Sequence, residues 1–344
     1  MRYRTLGASG CAVSVLALGT MTFGSESDEA CSHAQLDRFF AAGGTLVDTA
    51  DVYSNTESEA IIGRWLAKQR PEVVESAVIA TKGRFPTGPG PNDVGLSRRH
   101  LSRAIDASLR RLGVDCIDLY QVHGYDPLTP LEETLRVLDD AARMGKIAYV
   151  GLSNFTGWQV QKTVDLADAR LLSRPVTLQP QYNLLAREIE WEVVPACQSE
   201  GLGLLPWSPL GGGWLTGKYR RDERPTGATR LGENPERGVE AYGRRSVQER
   251  TWNVLAEVDK TARARGCSMA QVALSWVRDR PTVSSVILGC RTLEQLEDNL
   301  AAADFDLSPA EVAALDDASD PGAADYPYGG PGSQQRSRKI EGGR

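Results

Sequence analysis

Between residues 13 and 302, short apolar runs alternate with longer segments in which apolar residues recur at helical spacing. The short runs are β-rich and lie at 45–49, 77–82, 117–122, 147–152, 176–181, 203–207 and 284–288. A first such run, Val13 to Gly19, follows a hairpin pattern, Arg2 to Thr5 and Cys11 to Val13, turning at Gly7-Ala8-Ser9-Gly10. Helical periodicity covers 33–42, 56–68, 97–112, 130–144, 157–170, 187–200, 246–265 and 292–302. Repeated strand–helix units with short links call for parallel strands. Eight units in about 290 residues suit a closed (β/α)8 barrel preceded by a β-hairpin, with its site at the carboxyl ends of the strands. A doubly wound open sheet would put Gly-x-Gly-x-x-Gly after its first strand. Gly19-Thr20-Met21-Thr22-Phe23-Gly24 stands there instead.

Two stretches break the rhythm. Residues 209–245, rich in Gly, Arg and Pro, are too long for a passive turn and read as a mobile flap. Residues 321–344 are rich in Gly, Pro, Ser and charge and read as a partly disordered tail, leaving 1–320 as one barrel domain.

Composition narrows the classes. The 344-residue chain carries a net charge of −6 and a pI of about 5.3, which gives no electrostatic footprint for nucleic acid. No run is long and apolar enough for a membrane span, and the amino terminus lacks the apolar core of a signal peptide. Six scattered cysteines without a Cys-x-x-Cys pair point to cytoplasmic thiols and to no metal site.

The strand ends carry the chemistry. Ser76-Ala77-Val78-Ile79-Ala80-Thr81-Lys82 is an apolar run that stops on a cation, in a chain with 7 lysines against 32 arginines. The run at 45–50 carries Asp48, with Tyr53 five residues on, and Ile117-Asp118-Leu119-Tyr120-Gln121-Val122-His123 ends on one of three histidines. Singly, each has an ordinary packing or surface role. Together they form a proton-transfer set for interconverting a carbonyl and an alcohol. A tyrosine supplies the proton, a lysine cation eases its loss, a carboxylate holds the lysine, and a histidine orients the carbonyl.

Two further groups suit a cofactor. Ser153 and Asn154 after the fifth barrel strand, with Gln179 on the sixth, match a carboxamide that both donates and accepts. Trp207 ends the seventh and offers a stacking face. Ser208-Pro209-Leu210-Gly211-Gly212-Gly213, Lys218 and Gly289-Cys290-Arg291 fall after strands seven and eight, where such barrels bind phosphate. Arg291 offers a planar fork for it.

At Val47-Asp48-Thr49-Ala50-Asp51-Val52-Tyr53, Ala80-Thr81-Lys82, Asp118 to His123, Gly151-Leu152-Ser153-Asn154 and Trp207-Ser208-Pro209-Leu210-Gly211, the chain resembles the aldo-keto reductase family over about residues 1–320. The resemblance implies a (β/α)8 barrel that uses NADPH and no metal. It carries a catalytic tetrad onto Asp48, Tyr53, Lys82 and His123. It carries nicotinamide contacts onto Ser153, Asn154 and Gln179, with ring stacking at Trp207. It extends the cofactor set to Gly19, Thr20, Met21, Ser208, Leu210, Gly211 and Lys218. The chain departs from many members at Gly289-Cys290, where they have Lys-Ser, and at Gln295, where they have Arg. Gly289-x-Arg291 with Gln295 and Asn299 is similar to the branch of bacterial reductases and potassium-channel β subunits, and passes the 2′-phosphate to Arg291. The expected protein is a cytoplasmic NADPH-dependent reductase of small aldehydes or ketones. Its alternatives are a nucleotide-sugar ketoreductase and a slow redox-sensing binding subunit. Phe23, Phe85, Tyr125 and Trp214 are pocket candidates. Neither the substrate nor the oligomeric state is legible.

Overall fold

The computed structural model describes residues 1–323 apart from Ala228, together with Pro327 and Tyr328. The disorder expected of the tail therefore falls almost wholly outside the described residues.

The chain opens with an antiparallel hairpin, β1 (Tyr3–Thr5) and β2 (Ala12–Ser14). Eight parallel strands follow: β3 (Leu16–Gly19), β4 (Leu46–Asp48), β5 (Val78–Gly83), β6 (Ile117–Val122), β7 (Ile147–Ser153), β8 (Pro175–Gln179), β9 (Gly203–Leu204) and β10 (Val286–Gly289). They pair in chain order from β3 to β9, and β10 returns to pair with β3. The ring closes between β9 and β10. Leu204 bridges Val283, and the Ile287 N–H donates to Pro206 O at 3.0 Å. This is the expected (β/α)8 barrel with its hairpin.

β9 is shorter than the apolar run at 203–207 suggests, because Pro206 has no N–H to give. Pairing continues past it at alternate residues. Leu205 N donates to Leu178 O at 2.9 Å and Trp207 N to Pro180 O at 2.9 Å. That keeps the backbone up to Trp207 in the wall.

Strands of such a barrel are covered on both faces, so they read as apolar runs. Side chains alternate between the two faces. Outward residues such as Leu18, Val47, Ile79 and Tyr120 join the main core between sheet and helices. Leu6, Val13, Ala17, Leu46, Ala80, Leu119, Leu205 and Ile287 form a separate core within the barrel. The hairpin seals its amino-terminal end. Leu6 is fully buried, and Ala8 N donates to Gly201 O at 2.8 Å. Gly7 allows that approach: its φ is +54°, and a Cβ there would lie 2.3 Å from Val176 O.

Eight expected helices are present with shifted ends, among them Arg98–Leu112 capped by Ser97 and Leu293–Leu300 capped by Thr292. The sequence pattern missed two long ones. Met269–Arg278 is buried nearly all round; its polar stripe of Gln271, Ser275 and Arg278 is narrow and easily overlooked. Pro309–Ser319 is announced by Ser308 and Glu311, which form a capping box. The 209–245 segment, expected as a mobile flap, is not without structure. Among its described residues it has four short helical turns, and its own Trp214 and Leu231 are fully buried. Glu240 is paired with Arg245 at 2.7 Å, and its backbone carbonyl accepts from Trp214 Nε1 at 3.0 Å.

Candidate active site

Two residues beyond the inner core, toward the carboxyl ends, the same inward face of the barrel turns polar. Asp48 lies beyond Leu46, Lys82 beyond Ala80, Gln121 beyond Leu119 and Gln179 beyond Thr177. Asp48 and Lys82 are both buried, with Lys82 Nζ 2.7 Å from Asp48 Oδ2 and 2.6 Å from Thr49 O. Gln121 and Gln179 each donate an amide hydrogen to Asp48 Oδ1, at 3.1 and 2.8 Å. Gln179 also donates to Gln121 Oε1 at 3.2 Å. Both carboxylate oxygens are thus satisfied, which a buried charge requires.

Lys82 also donates to the Tyr53 hydroxyl at 3.3 Å. Tyr53 sits in the loop after β4 and stands edge-on to His123, with ring centroids 5.8 Å apart. The four residues expected to act together are together. Burial alone would lower the Lys82 pKa, but Asp48 and Tyr53 hold it above its ordinary value, so the side chain is a cation. Burial pushes the Tyr53 phenol up, and the Lys82 charge pulls it back part of the way. His123 is driven down to about 2, first by burial and then by the Lys82 and Arg84 charges, so its imidazole is neutral.

Tyr53 and His123 face a cleft of about 840 Å³ at the carboxyl ends of the strands. Its wall includes Gly19, Thr20, Met21, Ser153, Asn154, Gln179, Trp207, Ser208, Leu210, Lys218, Gly289, Arg291, Gln295 and Asn299, all named from the sequence. Gly211 is buried behind the wall. Several of these side chains first hold one another. Asn154, in the left-handed region at φ +57°, donates to His123 O and Ser153 Oγ, each at 3.1 Å, and accepts from Trp207 Nε1 at 3.0 Å. Ser153 Oγ donates to Gln179 O at 2.9 Å. Asn299 donates to Cys290 Sγ at 3.3 Å.

The pocket aromatics divide. Phe85 lines the cleft beside His123, at 4.7 Å between centroids. Phe23 and Trp214 do not line it; both are core residues, and Trp214 stacks on Tyr242 beneath the 209–245 cover. Tyr125 packs on Phe155 and Trp158 outside the cleft wall.

Arg291 is held by carboxylates. It lies one residue before the Thr292 cap, so it precedes the helix rather than sitting in its first turn. Its guanidinium meets Glu233 through two bonds of 3.0 Å and Glu26 Oε2 at 2.7 Å, and Glu26 also binds Arg237. This network joins the loops after β3, β9 and β10 across the mouth of the cleft. Lys218 and Arg230 stand in the same wall with no carboxylate in ion-pair range among the described residues. Burial lowers both pKa values, and neighbouring cations lower them further. An exposed lysine and a half-buried arginine, neither held by a carboxylate among the described residues, fit a dinucleotide's phosphates. Sequence reasoning missed Arg230, Glu26 and Arg237, which lie in segments without periodicity. It also missed Gln121, although its place two residues before His123 puts it on the same inward face.

Among the described residues no helix is long and apolar enough to cross a membrane. The profile of the Aldo/keto reductase family matches residues 15–320. The chain is 37% identical to "Protein tas" of Escherichia coli over 92% of its own length and 97% of that protein's. It is 36% identical to a "Probable voltage-gated potassium channel subunit beta" of Arabidopsis thaliana, covering 88% and 92% of the two chains. It is 34% identical to "Versiconal hemiacetal acetate reductase" of Aspergillus parasiticus, covering 92% and 96%. A barrel with a buried Lys–Asp pair beneath a half-buried phenol, matched along nearly its whole length by the family profile and by a named reductase, is accounted for in one way: the chain belongs to the aldo/keto reductase family, whose members generally use NAD(P)H, and is an oxidoreductase acting on carbonyl and alcohol groups.

Proposed function

We propose that the protein is an NADPH-dependent reductase of small aldehydes or ketones, in which Tyr53 gives its proton to the carbonyl oxygen. The observation that carries this is the position of Lys82 Nζ, 2.7 Å from Asp48 and 3.3 Å from the Tyr53 hydroxyl, at the floor of the cleft. Reduction leaves Tyr53 a phenolate, and the Lys82 cation stabilises that anion in a site where burial opposes it. Asp48, with Gln121 and Gln179, fixes Lys82 in place. His123, neutral and across from Tyr53, donates from its ring to the carbonyl oxygen and orients it. The bound nicotinamide dinucleotide would supply the hydride. Gln179, Asn154 and Ser153 would bind its carboxamide, Trp207 would stack on its ring, and Lys218, Arg230 and Arg291 would bind its phosphates. Preference for the 2′-phosphate rests on Arg291 exchanging Glu233 for it.

The test is turnover with a panel of aldehydes, ketones and sugar nucleotides, using NADPH and NADH, on wild type and Tyr53→Phe. Turnover above background with NADPH that Tyr53→Phe loses supports the assignment. Tight cofactor binding without turnover of any carbonyl would favour a binding subunit, the role printed for the potassium-channel relative.

A further inference from the structure

Behind Lys82, away from the cleft, lies a second buried acid that the proposed proton transfer does not use. Asp51 is fully buried in the loop after β4, and its backbone N–H donates to Lys82 O at 3.0 Å. Among the described residues neither of its carboxyl oxygens has a hydrogen-bond partner, although the Val52 N–H is near enough to lower its pKa somewhat. The Tyr120 hydroxyl, also buried and unpartnered, crowds the same spot. A Cβ on Gly83 would lie 2.2 Å from that hydroxyl and 3.3 Å from Asp51 Oδ2.

The charges facing Asp51 come from every neighbouring element. Glu59, on helix Glu57–Leu66, is buried and held by Arg111 Nε at 2.6 Å and by the Thr81 hydroxyl at 2.5 Å. Arg111 comes from helix Arg98–Leu112, Lys82 from β5 and Tyr120 from β6. Tyr53 follows in the same loop. Arg111 is engaged by Glu59, and Lys82 by Asp48 and Tyr53. Among the described residues no cation is left to pair with Asp51. A buried carboxylate with neither donor nor counterion is costly, whereas the protonated acid is neutral and brings its own donor.

We propose that Asp51 is held as a neutral carboxylic acid that sets the charge on Tyr53: while protonated it leaves Lys82 free to stabilise the Tyr53 phenolate, and on ionising it adds a second anion behind Lys82 and makes the phenolate harder to form. Asp51 is a positioning residue, acting through Lys82, and its effect on turnover rests on the role proposed for Tyr53. Burial first, and then Glu59, raise its pKa to about 7 against the opposing Arg111 and Lys82 charges, so the switch lies near neutrality.

The test pairs spectroscopy with kinetics, on the full-length protein. Infrared spectra of the wild type should show a protonated-carboxyl C=O band at a pH where exposed carboxylates are ionised. The band should fade as the pH passes through neutrality and be missing in Asp51→Asn. In alcohol oxidation, where Tyr53 must first lose its proton, Asp51→Asn should move the rise of the pH–rate profile to lower pH, by up to about one unit. A merely structural role would lower turnover at every pH and leave the midpoint in place. Absence of the band in the wild type, its survival in Asp51→Asn, or an unmoved midpoint in a folded variant overturns the proposal. Where Asp51→Asn does not fold, Asp51→Ser takes its place, and the band must be missing there too, since Asp118 is a second, half-buried carboxyl with a raised pKa. A Tyr53→Phe control separates the two levels: if it stays active, the role of Tyr53 fails, while the band still reports the protonation state of Asp51.

Discussion

Gln179 donates to Asp48 across the interior of the barrel, Nε2 to Oδ1 at 2.8 Å. The residue proposed to bind the nicotinamide amide therefore also supports the carboxylate that holds Lys82. Gln179→Leu should leave Asp48 Oδ1 with Gln121 as its one side-chain donor. The expected loss is about 1.5–3 kcal/mol, as for a hydrogen bond to a charged group, together with weaker cofactor binding. Urea denaturation and a fluorescence titration measure the two effects. A loss in binding with full stability would mean that the bond to Asp48 contributes nothing.

Tyr53→Phe should keep cofactor binding and lower reductase turnover by about 10²–10⁴-fold, the usual contribution of a positioned general acid. Steady-state rates with NADPH and a reactive aldehyde check it. Turnover within a few-fold of wild type would remove Tyr53 from the mechanism.

Lys82→Met should act on stability and chemistry together. Asp48 would stay buried without its cation, at a cost of about 3–5 kcal/mol. Tyr53 would lose the charge that pulls its pKa down, so oxidation, which needs the phenolate, should shift to higher pH. Thermal melts and pH–rate profiles read both, and wild-type values in both would show that Lys82 neither pairs with Asp48 nor tunes Tyr53.

Arg291→Ala should weaken NADPH far more than NADH. Because Glu233 fills the Arg291 fork, Glu233→Gln should act oppositely and tighten NADPH with little change for NADH. Titration of both variants with both cofactors decides; equal shifts for the two cofactors would show that Arg291 does not read the 2′-phosphate.

His123 predicts an acid limb in stability. Its folded pKa of about 2 lies below the ordinary value of 6.5, so in that interval the unfolded chain binds the extra proton. Stability from this group is complete above 6.5 and falls as pH drops toward 2. His123→Asn should flatten that part of the slope in urea melts taken at successively lower pH. An unchanged slope would mean that other groups set the acid sensitivity.

The barrel was legible because its strands are apolar on both faces and its helices are mostly apolar on one. Where that contrast fails, the pattern fails with it. Met269–Arg278 is buried nearly all round and keeps only a narrow polar stripe, and the 209–245 cover has short turns around single anchors such as Trp214. Asp48, Tyr53, Lys82 and His123 stood out because a charged or polar residue closing an apolar strand needs a reason. Gln121 was hidden by being uncharged. Asp51 was hidden in a motif whose neighbours drew attention first. The ties of Arg291 to Glu26 and Glu233 join residues 265 and 58 positions apart, and no local spacing announces such a contact.

The polar layer formed by Asp48, Lys82, Gln121 and Gln179 has a consequence for assembly as well as for chemistry. An interior filled only by Leu, Ile, Val and Ala distinguishes its strand alignments weakly, since one apolar residue replaces another. Here a slip of β5 by one residue would turn Lys82 outward among the helices and bring Thr81 in, stranding a charge on each side of the wall. Four strands that must meet at one carboxylate carry their own key to registration, and the price of error in the barrel is concentrated where the reaction takes place.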